Sequence, residues 1–405
     1  MNKKNREPLF HLTKRASIKQ WQAWLIRLGA FLLSLLVCAI VTSVLSGKSM
    51  GFFFKYFING VFGSPRKVWV LFHEACILLL IAIALTPCFK MRYWNIGGEG
   101  QVLMGAMGSA IIIQFLGGEI ADAGTIILSL IVGIAFGIVW AVIPALFKAK
   151  WNTNETLLTL MFNYIAACLT KYFISKVAAS GTGTLTFSKG VIERIGGSSF
   201  IGGQFILKII IVVILTVLMA IYLKYSKHGY ELSVVGESEN TARYIGINTK
   251  KVIIRTLVLC GAICGIAGFL LVSATNHSLH SEYTVDGRGF TAVLVSWLGH
   301  FNPAAMALTS FLVVFIDNGA SQVGDYGSLG ANYPSVMTGI FFFFIIATEF
   351  FINYKINFKK KHDVKKGATA TVQTETTEET AASLEENVTE NKEPDATESG
   401  SEVIG

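Results

Sequence analysis

Apolar runs close to the length that crosses a bilayer recur along most of this chain, and no other feature limits its fold so tightly. About 20 helical residues span the hydrocarbon. Backbone there finds no water, so each crossing must satisfy its own hydrogen bonds, as a helix does. Seven runs are clear: residues 25–46, 68–86, 125–147, 156–175, 205–223, 253–274 and 335–352. Three more, 95–116, 290–298 and 304–316, are interrupted by glycine or too short to cross alone. The expectation is an all-α polytopic membrane protein of roughly ten transmembrane segments, some broken or half-length. Composition agrees, with 52% of residues apolar and 15% charged, far from the soluble balance.

Charge orients the chain. Residues 367–405 hold ten Asp or Glu against one basic residue, Lys392, a net of −9. Residues 1–366 therefore carry +17, although the whole chain carries +8. The tail is rich in Thr, Glu, Ala and Ser without aromatics, so it buries too little apolar surface to fold and is predicted to be disordered. The basic excess fits membrane orientation better than nucleic acid, and no nucleic-acid partner is expected. Lys3, Lys4, Arg6, Lys14, Arg15 and Lys19 precede the first run, and Lys359, Lys360, Lys361, Lys365 and Lys366 follow the last. With ten crossings and both termini cytoplasmic, loops 88–93, 148–155 and 224–251 fall inside and are basic, while the acidic loop 117–124 falls outside, as the positive-inside rule expects. Loop 46–67 dissents, with four basic residues on the outside. The division that follows is a basic cytoplasmic arm (1–23), a transmembrane domain (24–354) with a cytoplasmic loop at 225–253, and a basic-then-acidic disordered tail (355–405).

The first run and the basic stretch ahead of it are too long for a cleavable signal peptide, so that run is expected to stay as an anchor. All six cysteines lie in or beside predicted spans. Cys260 and Cys264 share a helix face, but no His or Asp stands at metal-ligand spacing, so they read as small core residues. His277 and His280, with Glu282 nearby, lack a third spaced ligand and read as solvated loop residues. No metal site is expected. Asp317 and Asn318 fall at the outer end of a short span, at the interface. Loop 177–204, rich in Gly, Ser and Thr, is long for a bundle connection and reads equally as a docking loop or a mobile one.

Within the spans, residues 95–110 (NIGGEGQVLMGAMGSA) are the exception. Three of the first seven are glycine, each loosening a helix by about 1 kcal/mol relative to alanine. Irregular, charged backbone at membrane depth is tolerated only inside protein or along a wet cavity. Asn95, Gly97, Gly98, Glu99, Gly100 and Gln101 are therefore candidates to line the path of a polar solute, or to brace helices around it. Gly105 and Gly108, with Ala106 and Ser109, read as close-packing positions. Residues 287–299 (GRGFTAVLVSWLG) share the Gly-charge-Gly start and run the opposite way by the topology above. Paired broken segments of this kind suggest an inverted repeat around a substrate path. Thr156, Thr159 and Asn163 make a polar stripe on one helix face, suited to a cavity wall or to interhelical hydrogen bonds. Glu155, at the boundary, favours a helix N-terminus.

Loop 225–251 (YSKHGYELSVVGESENTARYIGINTKK) is the one sizeable polar stretch between spans. Leu232, Val235, Ala242, Ile245 and Ile247, punctuated by Gly236 and Gly246, suggest two short amphipathic helices whose apolar faces need cover. That cover is the bundle's underside or another protein. Enzyme signatures are missing: the sequence has no GxxxxGK[ST], HExxH or GxSxG.

Three segments, taken in order and spacing, resemble the permease subunits of ATP-binding-cassette importers of the nucleoside, ribose and branched-chain amino acid type. Asn95, Ile96, Gly97, Glu99, Gly100 and Gln101 match the NIG-x-EGQ hallmark. Glu155, Thr159, Leu160, Met161, Asn163, Tyr164 and Ile165 fit a span of the nucleoside branch. Gly229, Leu232, Val235, Gly236, Ala242, Arg243, Tyr244, Gly246 and Ile247 fit its cytoplasmic loop, and Gly299, Asn302 and Pro303 a closing turn. Ser233 stands where that loop usually has Arg, and Ser238 and Glu239 where Asn-Pro is usual. The resemblance implies a subunit that binds no cofactor and hydrolyses nothing, ATP-Mg being held by a cytoplasmic cassette ATPase partner. It implies a second homologous permease subunit and an external substrate-binding lipoprotein, all at the lipid of the cell membrane. Gly229, Leu232, Val235, Gly236, Ala242, Arg243, Tyr244 and Gly246 would couple to the ATPase. The implied cargo is a nucleoside, with a ribose-type sugar as the alternative. A self-sufficient ion-coupled transporter, with Glu99 as the coupling carboxylate, is the alternative from another class; it leaves the polar loop unexplained.

Overall fold

The structure, a computed structural model, describes residues 10–14, 20–178, 183–192, 203, 205–280 and 284–358. Among these, nine helices are long and apolar enough to cross a membrane, and Arg288–Leu298 is a shorter apolar helix. In chain order the helices are α1 (Gln20–Ser46), α2 (Met50–Phe62), α3 (Pro65–Lys90), α4 (Gly98–Leu116), α5 (Asp122–Trp151), α6 (Glu155–Val177) and α7 (Ile206–Tyr225). They continue with α8 (Lys227–Glu237), α9 (Glu239–Tyr244), α10 (Thr249–Phe269), α11 (Arg288–Leu298), α12 (Pro303–Gly327) and α13 (Tyr333–Asn353). The all-α polytopic expectation holds.

The chain forms two units, residues 28–346 and a smaller one made from 1–27 and 347–405. In the large unit, α3, α4 and the α10 span are 67%, 67% and 78% buried, whereas the other crossing helices are 22–39% buried. The first three are an inner set, which is why their sequences are apolar all round. Lipid tails are as apolar as leucine, so packing here relies on close backbone approach at small residues. A Cβ added at Gly265 of α10 would lie 2.6 Å from the Gly133 carbonyl of α5, and one at Gly105 of α4 would lie 2.7 Å from Gly265 Cα. Larger residues at this three-helix seam would force the helices apart.

Two stretches depart from the sequence reading. Loop 46–67 contains α2, whose Phe53, Phe57, Gly60 and Val61 are buried. A Cβ at Gly60 would lie 2.8 Å from the Asn318 carbonyl of α12. This helix escapes a hydropathy reading because it has 13 residues and carries Lys55, too short and too charged to resemble a span. The run 304–316 is only the first part of α12, a 25-residue helix. Its polar second half packs through Gly319, Ala320, Val323 and Gly324. Asp317 therefore sits inside a membrane-length helix, not at its end.

Two crossings are broken. Residues 91–97 re-enter the bundle before α4 begins, so that a Cβ at Gly98 would meet Leu85 of α3 at 3.1 Å. Along α11, Arg288 pairs with Glu74 of α3, Ser296 donates to the Ala82 carbonyl, and Trp297 lies against Phe89. The spacing of these contacts makes α11 parallel to α3 and confined to the half ending at Lys90. Beyond α10 a seven-residue π turn, Leu270–Asn276, widens the helix. Its Ser273 and Ala274 carbonyls accept from Ile192 N (2.9 Å) and Lys208 Nζ (2.7 Å). Strand β2 (Thr184–Thr186), inside loop 177–204, pairs with β3 (Ser278–His280), and Leu185 and Phe187 are buried. That part of the loop is packed; residues 179–182, 193–202 and 204 lie outside the described residues.

In the smaller unit, β1 (Phe10–Lys14) pairs antiparallel with β4 (Tyr354–Phe358), and Arg27 pairs with Glu349 at 2.9 Å. With the short helix α11, the nine membrane-length helices make ten apolar helices among the described residues. The remaining arm and tail, with Glu282, lie outside the described residues.

Candidate solute path and coupling surface

At the broken start of α4, backbone amides and carbonyls freed from helical pairing find partners on this chain. Ile96 N donates to Thr159 Oγ1 (3.2 Å), and Asn163 Nδ2 donates to the Ile96 carbonyl (3.0 Å). Gly100 N donates to Asn163 Oδ1 (2.9 Å). Asn95 Oδ1 accepts from Gly97 N and Gln101 Nε2 at 3.0 and 3.3 Å. Cys260 Sγ donates to Gln101 Oε1 (3.3 Å) and accepts from Asn95 Nδ2 (3.4 Å). Asn95, Gln101, Thr159 and Asn163 are buried, and Thr156 partly so. The glycines make room: a Cβ at Gly100 would stand 2.8 Å from Asn163 Oδ1. The sequence pattern marks residues 95–101 and the 156–163 stripe separately, and the structure brings Asn95, Gln101, Thr159 and Asn163 into one network. Cys260, a small core residue by its sequence context, also belongs to it.

Glu99 turns the other way, toward α11. Its carboxylate accepts from Gly287 N (3.0 Å) and Gly289 N (2.7 Å), capping the N-terminus of a helix that begins inside the bundle. The first turn of α4 and the first turn of α11 thus meet at one carboxylate, each presenting the positive end of its dipole. This is the arrangement that discontinuous helices in two halves produce, and it bears on the paired segments 98–110 and 287–299.

Beside this junction lies a cavity of about 310 Å³ that the sequence reading missed, bordered by Glu74, Arg288, Thr291, Asp317 and Ser335. Glu74 and Asp317 look like boundary residues when spans are delimited by hydropathy. A signal was available all the same: carboxylates within membrane-length helices are costly and mark function.

The 225–251 loop folds as α8 and α9, as its pattern suggests. Ser226 Oγ accepts from Gly229 N (3.0 Å) and Ser238 Oγ from Thr241 N (3.2 Å), capping the two helices. Ser238 thereby does what Asn does at a helix start, so the departure from Asn-Pro costs no cap. Gly229, Leu232, Val235, Gly236 and Ala242 are buried. A Cβ at Gly236 would lie only 2.1 Å from the Lys90 carbonyl, and one at Gly229 2.3 Å from the Leu223 carbonyl. Leu232, Val235 and Ala242 are thus covered by the bundle itself, whereas Ile245 is left exposed. Arg243, Tyr244 and Gly246 are exposed, Tyr244 at 95%, with Tyr230 and Ile245 beside them. A groove of about 520 Å³ between α8 and α10 continues this surface, with Lys227, Lys251 and Arg255 on its walls. Among the described residues no group of three or more His, Cys, Asp or Glu could hold a metal ion.

Nine membrane-length helices among the described residues and a polar junction between two broken ones define a polytopic membrane protein. The family model described as branched-chain amino acid transport system / permease component matches residues 70–347, and the chain belongs to that family. It is 27% identical to the guanosine ABC transporter permease protein NupP of Bacillus subtilis, over 87% of this chain and 99% of that protein. It is 26% identical to the nucleoside ABC transporter permease protein NupB of Lactococcus lactis, over 81% of this chain and 92% of that one. It is 25% identical to the glucose ABC transporter permease protein TsgB13 of Haloferax volcanii, over 70% and 77%.

Proposed function

We propose that this chain is one permease subunit of an ATP-driven nucleoside importer in the cell membrane, with both termini cytoplasmic. It works beside a second homologous permease, a cytoplasmic cassette ATPase that holds ATP-Mg, and an external substrate-binding lipoprotein. One observation carries the reading: α8 is seated against the Lys90 carbonyl, at the turn that opens into residues 95–101. A push on the exposed side of α8 and α9 reaches the broken start of α4 with no intervening element. Tyr244, Arg243 and Gly246 then touch the ATPase, while Gly229, Leu232, Val235, Gly236 and Ala242 transmit its movement to the bundle. Asn95, Gly97, Gly98, Glu99, Gly100, Gln101, Thr156, Thr159 and Asn163 frame the path, and their mutual hydrogen bonds set its shape.

The relatives named for guanosine, nucleosides and glucose share one chemical feature, a ring bearing vicinal hydroxyls. Nucleosides are preferred because the matches to NupP and NupB cover more of this chain; glucose-type sugars are the second reading. The test is reconstitution with the co-purified ATPase and binding protein. Uridine should accumulate in vesicles only with ATP. Accumulation by this chain alone, driven by an ion gradient without ATP, would overturn the reading.

A further inference from the structure

The cavity at the start of α11 is lined by three carboxylates, Glu74, Asp286 and Asp317, against one guanidinium, Arg288. Glu74 and Asp317 face the same space of about 310 Å³ as Arg288. Arg288 is paired with Glu74 at 3.3 Å, and Asp317 forms no ion pair among the described residues. Asp286, in the turn before α11, adds a further carboxylate to the lining. Thr291 and Ser335 supply hydroxyls. Asp317 is exposed to the cavity with the Thr338 hydroxyl beside it, and most of the about four acceptor sites of its carboxylate stay open to a further donor. A wet cavity at membrane depth allows such groups to persist. Its volume lies at the small end of the range for small-molecule sites, about 300–1,000 Å³.

We propose that this cavity binds the vicinal hydroxyls of the transported solute, with Asp317 accepting from the diol and the Glu74–Arg288 pair orienting it. The assignment rests on the importer reading and names the part of the solute that this subunit recognises. Two neighbouring hydroxyls on one ring give a parallel pair of donors, which matches the two oxygens of one carboxylate. Charge-assisted hydrogen bonds of this kind are about twice as strong as neutral ones. An aromatic base alone would gain nothing from this lining, so discrimination should follow the diol.

The test uses the assembled complex in lipid, with Cys168 and Cys76 replaced by serine and Ser335→Cys as a reporter on the cavity wall. Uridine at about four times its Kd should slow maleimide labelling of that cysteine roughly fivefold, the factor set by occupancy. Its 2′,3′-dideoxy analogue should not slow it. Asp317→Asn should weaken the uridine protection about tenfold, equivalent to about 1.4 kcal/mol, without lowering the melting temperature. Equal protection by both compounds, or no protection by a solute the complex transports, overturns the proposal. Absence of ATP-driven uridine uptake by the unaltered complex counts against the nucleoside reading alone. The same comparison made with glucose and its 2,3-dideoxy analogue then decides the diol assignment.

Discussion

Two helices begin inside the membrane part of this chain, and their starts treat polar groups in opposite ways. At α4, Asn95, Gln101, Thr159 and Asn163 are hydrogen-bonded to one another, to Cys260 and to the local backbone. At α11, the backbone is capped by Glu99, yet the adjoining carboxylates of Asp317 and Asp286 form no ion pair among the described residues. Broken backbone at membrane depth is therefore not in itself the sign of a solute. Chains repair a break with their own side chains where they can. What sets the α11 start apart is a cavity whose carboxylates outnumber its one guanidinium.

The severest way to break this contrast is Glu99→Ala, because Glu99 belongs to both starts. It removes two charge-assisted hydrogen bonds and leaves two amides at membrane depth without an acceptor. At about 1.5–3 kcal/mol per bond to a charged group, the loss should unfold or displace α11. Uptake should vanish and the purified complex should melt several degrees lower; Glu99→Gln, which keeps an acceptor oxygen, should recover part of both. A full melting temperature in the alanine variant would show that the cap is incidental. Gly236→Val comes next. Its Cβ would overlap the Lys90 carbonyl, and overpacking of this kind costs about 1–3 kcal/mol. Displaced by that much, α8 should pass on the ATPase's movement about tenfold less effectively, and uptake should fall while ATP hydrolysis continues.

Asn163→Ala and Asp317→Asn separate the two starts most directly. The first leaves Gly100 N and the Ile96 carbonyl unpaired in a buried place, a cost of about 1–3 kcal/mol each. Its effect should be read as lost thermal stability, with uptake falling in proportion to folded complex. The second should leave melting unchanged and alter only which solutes are carried. If Asp317→Asn instead lowers the melting temperature as far as Asn163→Ala does, both regions are scaffold and the contrast fails.

Much of this was legible in the chain, for reasons that differ by region. Membrane-length apolar runs reveal their number because bilayer thickness fixes helix length. Residues 95–101 stand out because glycine and charge are rare in spans, and α8 and α9 because Leu232, Val235 and Ala242 recur at helical spacing. Hydropathy says little about where an inner helix ends. The polar second half of α12 is paired with α2 through Gly60 and Gly319, and no periodicity in either segment announces the other. For that reason the apolar run ends beside Asp317, although α12 continues for ten residues beyond it. The partners of Glu99 lie 188 and 190 residues away in sequence, a separation that no local pattern encodes.

On the surface the same contrast becomes a matter of faces. Tyr244 is 95% exposed, whereas Ala242 two residues earlier is buried against the bundle. Tyr244→Ala should therefore leave folding and solute protection untouched while weakening ATPase association about tenfold, as truncating an interface aromatic commonly does. Unchanged association would move the contact to the groove along Lys227, Lys251 and Arg255.

The smallest effect concerns pH at His228, which lies on α8 outside the spans. Burial first, and then the neighbouring Arg255 guanidinium, hold its pKa below the ordinary value of 6.5, with Glu231 opposing. Thr256 Oγ1 lies 3.3 Å from its Nε2, and the Tyr222 hydroxyl is within hydrogen-bond reach of Nδ1, so the ring ties α8 to α7 and α10. Because the folded form resists protonation, the unfolded chain binds the extra proton as pH falls through about 6.5. The stability from this site is fully present above that pH and declines below it. Melting temperature should fall between pH 7.5 and 5.5, and His228→Gln should flatten that part of the profile. A profile of the same slope in the variant would assign the pH response to another group and leave α8 held by packing at Gly236 and Leu232 alone.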